Sequence, residues 1–312
     1  MLFRSIKQYN IYIVKGSIAS GLLLYLIYTT NISTLIFALS HINALLACIT
    51  FIMLLMVFSL GGVNLWLLLN SISKIPLKSF MSAYVYGYAL NLFAPGQLGD
   101  VSVAIFLKSD GMYYSRSTLA YVVDKAISMV CLVSIGYCGA RYLFDQYIMS
   151  AWMVGIPLVF ILCAIIVVVV ILYVKNTNGY VYRIKQLIIN MYSELKAWNN
   201  KSKAILLNTV VTVCKWIVLS CTYYMAFYTF GVKVQWPEIG IIPIISTLIG
   251  YIPISIGGIG TVELCAVYLF SLISIDRVYV IDVYLFLRFI TYVQAGIILG
   301  LCNWQFRRAR VT

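Results

Sequence analysis

The chain has 312 residues, 63% of them apolar and only 10% charged, with a net charge of +13. A soluble domain carries about 25% charged and 45–50% apolar residues, so this balance excludes an ordinary soluble fold and predicts an integral membrane protein. The positive charge does not mark a nucleic-acid binder, because the basic residues stand at the ends of apolar runs and not in one soluble block.

Taken in chain order, the first apolar run, near 11–30, follows Arg4 and Lys7. No small-x-small cleavage site leads from it into a polar region, so it reads as an uncleaved first span with Lys15 as an interfacial anchor. Further apolar segments fall near 41–69, 79–107, 117–140, 151–174, 204–230, 239–273 and 278–302. Stretches such as "GIPLVFILCAIIVVVVILYV" have about the twenty uncharged residues that a bilayer's hydrocarbon core requires. His41 reads as interfacial, and the tyrosines near span ends read as an aromatic belt. The eight cysteines are scattered, none in a CxxC pair, and read as small apolar residues rather than as disulfides or metal ligands.

Connector 175–203 differs from the rest. Its Tyr180, Ile184, Leu187, Ile188, Met191 and Leu195 recur at helical spacing beside Arg183, Lys185 and Lys196. That pattern predicts an amphipathic cytoplasmic helix, either lying on the membrane surface or packed on the spans.

Two segments carry breaks. "APGQLGD" interrupts 79–107 at 94–100, and "PISIGGIGTVE" interrupts 239–273 at 253–263. Proline removes a helical donor and glycine weakens the helix, so both stretches predict helix breaks at membrane depth. The distribution of charge adds a topology. If both interrupted segments dip in and return while the other six cross, sixteen of the 22 basic residues fall on the cytoplasmic side and three outside. The remaining three, Lys125, Lys215 and Arg288, lie within spans. Were 79–107 to cross fully, Lys74/Lys78 and Lys108/Arg116 would face opposite sides and the bias would collapse. The chain is therefore expected to be one all-α polytopic membrane domain over 1–312. It would have six transmembrane helices, two re-entrant helical hairpins and cytoplasmic N- and C-termini.

A shift of 161 residues lays the breaks over one another. Gly96, Leu98, Gly99 and Val101 then meet Gly257, Ile259, Gly260 and Val262. Each half, 11–140 and 151–302, reads span, span, hairpin, span. Three crossings per half make the second repeat upside down, and paired broken segments in inverted repeats point to a transporter's midplane site.

"NLFAPGQLGD", the pair Asp124–Lys125, "IPISIGGIGTVE" and "LRFITY" occur in that order over nearly the whole chain. Together they resemble the transmembrane region of the lysylphosphatidylglycerol synthetase family, whose stand-alone members are called flippase-like proteins. In that family a glutamate stands at the place of Asp100, an arginine at that of Val103 and a Glu–Arg pair at that of Asp124–Lys125; Pro253, Gly257, Gly258, Gly260, Glu263 and Arg288 match. The resemblance implies movement of a polar-headed lipid, an aminoacyl-phospholipid or a polyprenol-linked saccharide, between leaflets of the bacterial cytoplasmic membrane. It implies a lipid or lipid-linked glycan as the partner, alongside envelope-biosynthesis enzymes, and no cofactor or metal.

Charge inside a bilayer is costly and marks candidate function. Asp100, Asp124, Lys125, Glu263 and Arg288 are the embedded charges singled out. Arg288 and Lys125 suit a lipid phosphate. The N–H groups after Gly99 and Gly260, bared by glycine, suit an anion. The carboxylates either balance those cations, meet an aminoacyl ammonium or carry protons. Asn91 and Gln97 line a polar path or satisfy broken-helix carbonyls, with Pro95, Gly96 and Pro253 shaping the breaks. Lys215 reads as a snorkelling residue. "GGIGTVE" lacks the third glycine, the preceding strand and the βαβ unit of a dinucleotide loop. Two other functions compete with transport: a membrane-embedded transferase on a lipid-linked substrate, and a scaffold of an envelope polysaccharide assembly. A lone histidine and no DxD cluster argue against the first, so the chain is expected not to be an enzyme.

Overall fold

A computed structural model describes residues 43–93, 98–109, 113–144, 179–199, 201–232, 235–251 and 255–311. The predicted spans 11–30 and 151–174 lie outside the described residues. Within them the fold is all-helical: α1 Ala44–Ile72, α2 Leu77–Phe93, α3 Leu98–Ser109, α4 Tyr114–Phe144, α5 Tyr180–Ala197, α6 Lys201–Thr229, α7 Trp236–Gly250, α8 Thr261–Ser271 and α9 Arg277–Val311. Four of these, α1, α4, α6 and α9, are long and apolar enough to cross a membrane. The chain is an integral membrane protein.

Local chemistry sets the ends. Asn43 Oδ1 accepts the N–H groups of Leu45 and Leu46 at 3.1 and 3.3 Å and starts α1. Asp276 does the same for α9 through Val278 N–H at 2.9 Å. α6 stops in a left-handed turn at Gly231, where Val232 N–H reaches back to Phe227 O at 3.1 Å. α8 stops in the same way at Ser274, which holds φ 63° without being glycine.

The chain divides into two compact units. Unit 1 takes Met1–Ser59, Tyr84–Ser102 and Lys215–Thr312; unit 2 takes Leu60–Ala83 and Val103–Cys214. In unit 1, α7 packs on α8 and α8 on α9. Phe227 and Phe270 meet at 5.0 Å between ring centroids, and Ile239, Ile242 and Val280 are fully buried in the same unit. In unit 2, Leu68, Leu107, Ala120 and Leu132 are fully buried. There α5 packs on α4, tied by an Arg116–Glu194 ion pair at 3.0 Å. Val181, Tyr182, Ile184, Ile189 and Tyr192 of α5 stay exposed. The connector thus pairs a docked side with a free apolar one.

Candidate functional site

The second break, in unit 1, is made of glycines in conformations that side chains avoid. Gly257, Gly258 and Gly260 hold φ of 58°, 70° and 80°. Space is as restrictive as conformation, since a Cβ on Gly257 would stand 3.0 Å from the carbonyl oxygen of Leu92 at the end of α2. The second loop is therefore pressed against the end of the first broken segment.

Directly after the loop, Thr261 opens α8 and donates its hydroxyl to Gly258 O at 3.1 Å. Glu263, two residues on, folds back over the helix start, and its Oε2 accepts the Gly260 N–H at 2.7 Å. This is half a capping box, glycine having no side chain to complete the exchange. The N–H of Gly260 itself is therefore taken by Glu263, one residue before the helix-start donors expected to suit an anion. The other carboxylate oxygen, Oε1, accepts a hydrogen bond from Arg288 Nε. Arg288 Nη1 also donates to Gly257 O at 3.2 Å. One guanidinium thus ties α9 to both the broken loop and α8. Glu263 is 1% exposed and the Arg288 side chain 23%, so the carboxylate is wholly enclosed while the cation keeps an open edge. Pairing of this kind is what a buried carboxylate requires.

That open edge faces a cavity of about 210 Å³. Arg288, Glu263, Tyr223, Tyr284 and Thr291 line it, together with aliphatic side chains such as Leu54 and Leu92. Tyr223 and Tyr284 lie 5.1 Å apart between ring centroids, and the Tyr284 hydroxyl is 3.0 Å from Ser246 Oγ. The lining is mixed and mostly apolar, with one guanidinium and a few hydroxyl-bearing side chains among aliphatic ones.

Of the expected site residues, Gly257, Gly258, Gly260, Glu263 and Arg288 come together. Asn91 is close by at the end of α2, its carbonyl oxygen 3.9 Å from where a Cβ on Gly257 would be. Gly99 packs on Asn91 so tightly that a Cβ would stand 2.6 Å from Asn91 Oδ1. Pro95, Gly96, Gln97 and Pro253 lie outside the described residues, as does the side chain of Asp100. Asp124 and Lys125 belong to unit 2. Asp124 Oδ1 accepts amide N–H bonds from Asn64 and Asn208, both at 3.0 Å, whereas Lys125 Nζ lies 5.5 Å from the Tyr121 ring centroid. Consecutive helical residues point about 100° apart, which is why these neighbours do not neutralise each other. Lys215 Nζ lies over the ring of Trp216, 4.8 Å from its centroid.

The two breaks also differ more than the 161-residue overlay implies. Gly260 is a left-handed cap before α8, but Gly99 is already inside α3, buried, and needed for close approach. Several polar residues escaped sequence reasoning. Tyr223 and Tyr284 are two of 25 tyrosines, with nothing to single them out. Asn64 and Asn208 had a usable signal, an amide deep in an apolar span. Asp282 is a further embedded carboxylate, 3% exposed with neither oxygen hydrogen-bonded, hidden by its nearness to the start of α9.

Long apolar helices define a membrane protein, and its family match places it in the lipid-related, flippase-like class. The chain belongs to the family described as the lysylphosphatidylglycerol synthase TM region, which it matches over residues 12–300. No curated protein and no solved structure matches it.

Proposed function

We propose that this chain moves a polar-headed lipid, an aminoacyl-phospholipid or a polyprenol-linked saccharide, between leaflets of the bacterial cytoplasmic membrane, as a transporter and not an enzyme. The carrying observation is the guanidinium of Arg288, fixed by Glu263 and the Gly257 carbonyl yet open to the cavity. Arginine has five N–H donors in a fixed fork. The Nε donor and one on Nη1 are engaged, which leaves donors for a phosphate. The aliphatic lining residues suit the start of an acyl or prenyl chain.

Six crossings with two re-entrant hairpins, entering from opposite faces, would bring such a site to mid-membrane. In support, α2, α3, α7 and α8 have 17, 12, 15 and 11 residues, short of the roughly 20 needed to span. The first hairpin also leaves unit 2, contributes Tyr84–Ser102 to unit 1, and returns to unit 2. The exposed apolar side of α5, next to Arg183 and Lys185, suits the cytoplasmic membrane surface. The transferase reading is weaker because both Glu263 oxygens are engaged, leaving this carboxylate poorly placed as a general base.

The test is reconstitution of wild-type and Arg288→Ala chains in liposomes carrying a headgroup-labelled anionic phospholipid. Quencher access then reports transfer between leaflets. Transfer should be lost in the variant while helicity and monodispersity are kept. An unchanged rate in a folded Arg288→Ala chain would overturn the assignment.

A further inference from the structure

The geometry points to a second site, independent of the lipid cavity: α1, α4 and α6 build, inside unit 2, an all-oxygen site for a dehydrated monovalent metal cation of the sodium class. Its parts are Asn64 from α1, Asp124 and Ser128 from α4, and Asn208 and Thr212 from α6. The spacing from 124 to 128 and from 208 to 212 is one helical turn, so each pair shares a face. All five are at least nine-tenths buried, and Asn208 and Thr212 fully so.

The hydrogen bonds tie the cluster together. Asp124 Oδ1 accepts N–H donors from both Asn64 Nδ2 and Asn208 Nδ2, at 3.0 Å each. The same amides are held from behind, Asn64 Nδ2 by Thr212 Oγ1 at 2.7 Å and Asn208 Nδ2 by the Asn64 carbonyl at 3.1 Å. A fixed amide nitrogen fixes its oxygen too. Yet the side-chain oxygens of Asn64 and Asn208 and the hydroxyl of Ser128 have no hydrogen-bond partner. Three buried oxygens thus lack donors, two on amides bonded to the Asp124 carboxyl and one a helical turn from it, which is the donor set a cation would complete.

Among the described residues, no basic side chain forms an ion pair with Asp124, and buried charge is ordinarily paired or metal-bound. A bound water would satisfy oxygens but leave the charge. Hard oxygen donors select alkali and alkaline-earth ions over transition metals. One carboxylate among neutral oxygens balances a single positive charge, whereas calcium sites typically use several carboxylates. A monovalent cation is therefore the ligand this set fits.

The experiment uses the full purified chain in detergent at fixed pH, with sodium or potassium chloride replacing choline chloride at constant ionic strength. Radioactive sodium binding and the thermal unfolding midpoint are both read. Wild type should bind sodium saturably and unfold at higher temperature as sodium rises. Asp124→Asn should abolish both effects, and Ser128→Ala, which removes one hydroxyl and little volume, should weaken binding by at least about tenfold. If Asp124→Asn does not fold, Ser128→Ala and Thr212→Val carry the test. Glu263→Gln should bind sodium as wild type does, so failure of the lipid reading and failure of this one are separately visible. Absence of saturable binding in wild type, or undiminished affinity in the Asp124 and Ser128 variants, overturns the proposal. A midpoint that follows pH and ignores every alkali cation overturns it in favour of a proton.

Discussion

Replacing Arg288 by alanine should cost more stability than replacing its partner Glu263 by glutamine, although both break the same ion pair. Arg288→Ala leaves a carboxylate that is 1% exposed with one hydrogen bond, from Gly260 N–H. Removing one partner of a buried pair in this way costs about 3–5 kcal/mol. Glu263→Gln is milder. Arg288 keeps the Gly257 carbonyl and an edge that is 23% exposed, so its charge remains partly solvated. What is lost is one charge-assisted hydrogen bond, about 1.5–3 kcal/mol, since the amide NH₂ then faces either Arg288 or the Gly260 N–H, donor against donor. The double variant removes both charges and should lose less than the two single losses added, with a coupling of about 0.5–3 kcal/mol. Equilibrium unfolding in mixed micelles, followed by tryptophan fluorescence, measures all three. The reasoning fails if Glu263→Gln proves the costlier change, or if the single losses simply add.

Gly257→Ala should destabilise by about 1–3 kcal/mol, because φ of 58° and the Leu92 carbonyl oxygen at 3.0 Å oppose a Cβ together. Gly296→Ala on α9, with nothing within 4 Å of its Cβ position, is the matched control and should lose nothing in the same unfolding titration. Ser274→Gly should instead raise stability by about 1 kcal/mol, as glycine relieves the left-handed strain at φ 63°. A higher unfolding midpoint with unchanged helicity checks it.

The helix breaks and the embedded charges were legible because membrane insertion penalises them so heavily that each needs a local reason in the sequence. Glu263 and Arg288 were visible from the cost of charge in lipid, and their pairing was among the alternatives open at that level. Asp124 shows the limit. Its sequence neighbour Lys125 looked like a natural counter-charge, yet helical geometry turns the two apart, and the carboxylate meets amides 60 and 84 positions away. An asparagine deep in an apolar span signals a buried polar contact, but not which distant residue it meets.

Composition and the spacing of apolar runs were enough to identify a helical membrane protein, because lipid admits few backbone arrangements and taxes every charge. Folding alone arranged which groups meet. The Leu92 carbonyl against Gly257, the bracing of Arg288 by a loop oxygen, and the oxygen cluster around Asp124 all join residues far apart in the chain. No local pattern encodes them, since each depends on how separate helices pack.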